Sequence, residues 1–165
     1  MYPMKRLDML IKSKEKLFHI QDLALLWGIE NRNTLRTTIK RYVKKGVLIK
    51  IFRGLYSTVP VKELDKFELG TALIHKYCYV SCETVLYLEG VINQAVYPIT
   101  YVSSVSTKIQ INGVMYIYRQ AKPELLFDSS GIERKDGYFI ATKERAISDM
   151  NYFNPKYYMD NLGKR

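Results

Sequence analysis

The chain has 165 residues, 47% of them hydrophobic, which suits one ordinary domain or two small ones with a real core and excludes a disordered tail. No apolar run approaches the ~20 residues of a membrane span. The N-terminal stretch MYPMKRLDMLIKSKEK is too regularly charged for a secretory leader, and two cysteines, Cys78 and Cys82, make no disulfide framework, so a cytoplasmic setting is expected. The net charge of +10 is lopsided: residues 1–58 hold 13 of the 26 Lys and Arg but only 4 of the 16 Asp and Glu, leaving +9 there and +1 in the rest. A basic module joined to a near-neutral one implies a polyanionic partner, either nucleic acid or an anionic membrane surface.

Met4, Leu7, Leu10 and Ile11 recur at helical spacing, which predicts a first helix over Met4–Lys16 with a break around Leu17–His19. Ile20, Leu23, Ala24 and Trp27 share one face of a second, short helix that Gly28 ends. Asn31, Asn33 and Thr34 offer side-chain oxygens to cap a third helix. Leu35, Ile39 and Val43 form its expected apolar stripe, and Arg36, Thr37, Lys40, Arg41 and Lys44 fill the rest of its surface until Gly46. The β-branched and aromatic stretch VLIKIFRGLYSTV predicts a two-stranded hairpin with Gly54 at or near the turn. Helix, helix, turn, polar-faced helix and hairpin is the order of a winged helix-turn-helix, expected over residues 1–59.

The third helix carries the functional signal. Solvated helices ordinarily mix Lys with Glu at i, i+4, yet no carboxylate occurs from Asn31 to Lys45. Arg suits guanine edges, Asn adenine, and the Thr methyl the thymine methyl. That chemistry assigns base reading to Asn33, Arg36, Thr37, Lys40 and Arg41. Arg32, Lys44 and Lys45 are expected to hold phosphates, as are Lys50 and Arg53 on the hairpin, where a wing touches the backbone or the minor groove. Read blandly, the helix is a solvated basic face, and the hairpin cations only discourage edge pairing. A membrane-surface helix would need large apolar anchors, and here the apolar stripe is required by the core.

Pro60 marks the start of a second, α+β domain over residues 60–165. The expected elements are a helix over Asp65–Tyr77 with Phe67, Leu73 and Ile74 among its apolar positions, an extended Tyr79-Val80, and a helix capped by Ser81 that runs to Leu88 and closes at Gly90. Asn112-Gly113, a strong hairpin signal, joins the β-branched Pro98–Ile111 to a return strand, Val114–Tyr118. A tight turn at Lys135–Gly137 leads into Tyr138–Ala141, and Thr142 caps a helix through Met150. His19 and His75 have no ligand set; with Cys78 and Cys82, His75 gives three ligands at best where zinc needs about four. The cysteines read as buried apolar residues, and no Gly-rich phosphate loop occurs. Pro123-Glu124 followed by Glu133-Arg134-Lys135 is nuclease-like in order, but Glu133–Asp136 reads as a solvated turn rather than a strand carrying a catalytic carboxylate. No enzyme, metal or cofactor is expected.

In sequence the chain resembles the AbiEi-type antitoxins, regulators of type IV toxin–antitoxin and phage-defence (abortive infection) loci. The matching stretches are Leu23-Ala24, KRYVKKGVLIKIFRGLYS (40–57), YVSCETVLYLEGV (79–91), the hairpin around Val102–Tyr118, and IATKERAISDMNYF (140–153), together spanning roughly residues 15–155. The resemblance implies an N-terminal winged helix that binds inverted repeats in its own promoter, with Arg36, Thr37, Lys40 and Arg41 on the reading helix and Arg53 on the wing. It further implies a C-terminal antitoxin domain acting against a nucleotidyltransferase-like toxin, with which it need not form a stable complex. The chain departs from the pattern by ending soon after the last matching helix, where many family members continue. The alternative expectation is a protein- or RNA-interaction module in phage defence whose basic N-terminal domain only localises it.

Overall fold

Residues 3–162 are described by a computed structural model, with side chains from Lys5 onward. They build mixed α+β structure in two units that divide after Asp65. The first unit runs α1 (Pro3–Lys12), β1 (Leu17–His19), α2 (Ile20–Trp27), α3 (Arg32–Lys44), β2 (Ile49–Phe52) and β3 (Leu55–Ser57). At the start of α2 the His19 backbone N–H donates to the Asp22 carboxylate at 2.8 Å. At the end of α2 Gly28 takes the left-handed conformation, φ 66°, which terminates a helix without a Cβ penalty. Asn31 caps α3: its side-chain oxygen accepts from the backbone N–H groups of Asn33 and Thr34 at 2.9 and 3.1 Å.

The three helices close on Leu10, Leu23, Trp27, Leu35, Ile39 and Leu48, each fully buried side chain contributing about 1.5–3 kcal/mol. Trp27 stacks on Tyr42 at 5.2 Å and donates its indole N–H to the Arg6 carbonyl at 3.3 Å, tying α1 and α3 to α2. The strands form one antiparallel sheet in the order β1-β3-β2.

Three expectations for this unit are corrected. The first helix stops at Lys12, and Leu17–His19 is not a break but a strand, Phe18 pairing with Tyr56. Ile11 is 72% exposed rather than on the packed face; the side chain of Met4 lies outside the described ones. On α3 the buried set is Leu35, Thr38, Ile39 and Tyr42, while Val43 stands partly in solvent. Spacing of i, i+3, i+4, i+7 turns Tyr42 inward onto Trp27, and Val43, one residue on, rotates out.

The second unit runs α4 (Lys66–Ala72), β4 (Cys78–Val80), α5 (Glu83–Leu88), β5 (Ile99–Ser103), β6 (Thr107–Ile111), β7 (Val114–Gln120), α6 (Pro123–Leu126), β8 (Ile132–Arg134), β9 (Phe139–Ala141) and α7 (Lys143–Phe153). Its sheet has the order β6-β7-β5-β4-β9-β8, with β5/β7 and β4/β9 parallel and the other neighbours antiparallel. Strand β5, ITYVS, is buried at every position because helices cover both faces. On one face Tyr101 donates to the Phe67 carbonyl of α4 at 2.8 Å, and Tyr118 donates to the Gly70 carbonyl. A Cβ on Gly70 would lie 2.0 Å from the Tyr101 hydroxyl, so only glycine lets α4 sit this close. On the other face Tyr79 and Ser81 meet α7.

The helix expected over Asp65–Tyr77 ends at Ala72. Its Gly70 carbonyl, which a continuing helix would offer to the Ile74 N–H, accepts from Tyr118 instead. Ser81 is not a cap: its hydroxyl donates to Asp149 at 2.6 Å, and Cys82 holds the cap position at φ 59°. Asn112 and Gly113 both take positive φ, 50° and 81°, as a two-residue hairpin requires. Thr142 caps α7 as expected, accepting from the Arg145 N–H at 3.3 Å, and the helix continues three residues past Met150 to Phe153. Glu133 and Arg134, expected in a solvated turn over Glu133–Asp136, lie instead on an edge strand, Ile132–Arg134, paired with β9, and the sequence signals no helix at α6.

Candidate nucleic-acid interface

With Asn31 taken up by capping, the remaining polar residues of α3 are available to the surface. At about 100° per residue Arg36, Lys40, Asn33, Lys44, Thr37 and Arg41 span an arc of roughly 140° on the side opposite Leu35, Thr38 and Tyr42. All six are exposed, as are Arg32, Lys45, Lys50 and Arg53. The Thr37 hydroxyl donates back to the Asn33 carbonyl at 2.8 Å, so its donor is spent within the helix and its methyl is the group left for an outside contact.

The hairpin stands beside this arc. Its turn is Arg53-Gly54, with Phe52 opposite Leu55; Gly54 takes φ 67°, and its carbonyl accepts from the Ile20 N–H at 3.0 Å. The hairpin tip is thereby fixed to the start of α2. Between α3 and the hairpin runs an open groove of about 740 Å³. Of the expected site residues it collects Asn33, Arg36, Thr37, Lys40, Lys50 and Arg53. Arg41, Lys44 and Lys45 lie on the surface of α3 outside it, and Arg32 lines a separate depression with Gln21, Leu25 and Glu30. No carboxylate lines the groove. Two of the unit's acids are engaged elsewhere, Asp8 with Lys12 at 2.9 Å and Asp22 with His19 at 3.3 Å.

Sequence reasoning missed five lining residues, Ile20, Ile39, Val43, Gly54 and Tyr56. Val43 was legible in principle, since the inward set built around Tyr42 excludes it. Ile20 and Tyr56 depend on how the hairpin folds back, which no local signal specifies.

The second unit carries a different constellation, built around the IAT.ERA..D stretch. Arg145, 6% exposed, has all five of its N–H donors engaged. Nε donates to Asp149 at 3.1 Å, Nη1 to the Asp128 and Ser130 carbonyls at 2.7 and 2.6 Å, and Nη2 to the Tyr79 hydroxyl and Leu125 carbonyl at 3.0 and 2.7 Å. The guanidinium also lies over the Tyr79 ring, 5.1 Å from its centroid. Burial pushes the Tyr79 phenol well above its ordinary range, with the Asp149 charge adding to the shift. This network fixes the α6–β8 segment to α7 and leaves no donor for a substrate. A second pair, Arg119 with Glu83, is bidentate at 2.7 Å on both arms.

Glu133 lies on edge strand β8 beside Lys135 at 3.5 Å, and Glu124 lies on α6. Among the described residues no three His, Cys, Asp or Glu side chains are grouped to hold a metal ion. Cys78 and Cys82 are unbridged and buried, and burial pushes both thiols up from 9.0 to about 12. No described helix is long and apolar enough to cross a membrane. Compared with models of protein families and with curated proteins, the sequence matches none.

Proposed function

We propose that the first unit is a winged helix-turn-helix that binds duplex DNA, with α3 in the major groove and the β2–β3 hairpin as the wing. The observation that carries this reading is the carboxylate-free groove in which Arg36 and Lys40 of α3 face Lys50 and Arg53 of the hairpin, beside the amide of Asn33 and the methyl of Thr37. A B-form major groove about 12 Å wide admits one α-helix and offers base edges to those groups. On this reading Arg36 and Lys40 meet base edges while Lys50 and Arg53 of the hairpin take the flanking phosphates, and no acid lines the groove to oppose them.

The chain is, on this reading, a cytoplasmic transcriptional repressor that autoregulates a toxin–antitoxin operon and counteracts a nucleotidyltransferase-like toxin through its second unit. The motifs shared with AbiEi-type antitoxins support this second step. In one of them Arg145 and Asp149 are buried and paired, and Thr142 caps the helix that carries them, which suits a recurring scaffold rather than a catalytic site. The test is a gel-shift series with the full chain, comparing DNA from upstream of its own coding sequence with a scrambled duplex of equal length. Preferential retardation of the upstream DNA is expected; equal binding to both, or to neither, would reject the repressor reading. For the antitoxin step, co-expression of the full chain should relieve growth arrest by a nucleotidyltransferase encoded beside it, and unchanged arrest counts against that step.

A further inference from the structure

In the second unit, α7 ends where Pro155 follows Asn154, because proline supplies no backbone N–H and disfavours the helical conformation in the residue before it. The Tyr157 N–H then closes a turn on the Asn154 carbonyl at 3.0 Å. Buried Met159, and the Asn161 N–H on the Val91 carbonyl at 2.9 Å, anchor the segment beyond it. The chain folded in this way brings Phe153 and Tyr157 to one cavity of about 460 Å³, which Glu83, Arg119, Met150 and Asn154 complete. That volume lies in the range of ligand sites.

Aromatic rings and cations alternate here. The Arg119 guanidinium lies over the Phe153 ring, 5.9 Å from its centroid, and the Lys122 ammonium lies over the Tyr152 ring at the same distance. The two rings meet edge to face at 5.0 Å, so the two pairs adjoin. Tyr152 is 43% exposed, and Lys122 and Lys156 are exposed. The carboxylates nearest Tyr157 are already engaged: Glu83 by both arms of Arg119, and Asp160 by the Asn93 N–H at 3.0 Å. Each Glu83 oxygen accepts one of those N–H groups and keeps a second lone pair. The Asn154 side-chain oxygen accepts from the Lys156 N–H at 3.3 Å, which leaves its amide N–H groups as the donors facing outward.

An occupant needs a flat face for the rings, a donor and an acceptor on one edge for Glu83 and Asn154, and negative charge close by for the lysines. A nucleobase with its flanking phosphates has all three. A cationic ligand would meet Arg119, Lys122 and Lys156, and an acidic peptide has the charge without the flat hydrogen-bonding edge. Bases inside a duplex are stacked and paired and cannot enter a cavity, so the strand must be single.

We propose that the second unit binds single-stranded nucleic acid at this site, with one base in the cavity against Phe153 and Tyr157, a neighbouring base on Tyr152, and Lys122 and Lys156 on the phosphates. This site is separate from the α3 groove and does not depend on the duplex reading of the first unit.

The test uses the full chain with unlabelled duplex DNA in excess, and follows a fluorescent single strand of about a dozen mixed-sequence nucleotides by anisotropy, once as RNA and once as DNA. The single strand should bind in the presence of the duplex, and the ratio of the two affinities tells which sugar is preferred. Tyr157→Ala should weaken this binding roughly 5- to 150-fold. The Lys122→Ala/Lys156→Ala double variant, which alters exposed side chains only, should reduce the magnitude of its salt slope by about 1.4. Neither change should alter the affinity for duplex. In wild-type protein, photocrosslinks from a strand carrying 4-thiouridine should map to Tyr152 or Tyr157, a readout that stands even where a variant folds poorly. Absence of single-strand binding, its complete displacement by duplex, crosslinks confined to the first unit, or a free mononucleotide binding as tightly as the strand would overturn the proposal. Loss of duplex binding with the single-strand results intact would sink only the reading of the first unit.

Discussion

Arg36→Ala separates base reading from charge. Arg36 is exposed on α3, lines the groove, and has no carboxylate partner there. Its removal releases no ion pair and uncovers no buried group, so stability should change by no more than ~0.5 kcal/mol. A bidentate contact to a guanine edge is worth about 1–3 kcal/mol, so affinity for the preferred duplex should fall roughly 5- to 150-fold. On a scrambled duplex only the electrostatic share is lost, and the salt slope falls in magnitude by about 1. Lys44→Ala, outside the groove on the same helix, should weaken both duplexes alike and lower the slope by about the same amount. Arg36→Lys sharpens the comparison: it keeps the charge but not the planar two-pronged donor, so discrimination should drop with the slope intact. Anisotropy titrations over a salt series, on a duplex selected from a random pool and on its scrambled counterpart, give all of these quantities. Equal losses on both duplexes for Arg36→Ala, or full discrimination retained by Arg36→Lys, would refute the base-reading role.

Asn31→Ala removes the acceptor for two backbone N–H groups at the start of α3 and should cost about 1 kcal/mol of stability, read by urea denaturation; a change near zero would mean that water replaces the cap without loss. Arg145→Met leaves the fully buried Asp149 carboxylate without its cation and strands three carbonyls, a loss of about 3–5 kcal/mol. Adding Asp149→Asn to that variant should recover part of the loss, and a double variant no more stable than Arg145→Met would show that the orphaned charge is not what costs. Burial holds the Cys78 and Cys82 thiols protonated up to about 12. In native protein near pH 8 both should react with a thiol reagent far more slowly than in denaturant. Their contribution to stability is present below the unfolded value of 9.0 and is lost as pH rises toward about 12. Fast native labelling of either would contradict the burial argument.

The parts of the fold legible in the sequence are those fixed over a few residues. Gly28 ends α2 because a left-handed residue is needed there, and Asn112-Gly113 turns β6 into β7 because both positions take positive φ. Thr142 caps α7 by a contact three residues long. The parts that were not legible are decided by partners far along the chain. At the end of α4 the Gly70 carbonyl accepts from Tyr118, 48 residues away, and the Ser81 hydroxyl donates to Asp149 across 68 residues. The parallel pairing of β5 with β7 and of β4 with β9 has no local signature.

The same division holds for the candidate site. The absence of acid from Asn31 to Lys45 is a property of the sequence, and the exposed positions of α3 follow from helical period once the buried face is known. The i, i+4, i+8 spacing of Leu35, Ile39 and Val43 points one residue past Tyr42, and the difference has a chemical consequence, because Val43 belongs to the groove that the hairpin completes. A helix that buried Val43 would present only cations and amides, and any polyanion would fit it equally well. With Val43 outward, beside Ile20, the cationic edges enclose carbon. Charge then attracts nucleic acids in general, and Ile20 and Val43 add apolar contact beside the polar groups of Asn33, Thr37 and Tyr56.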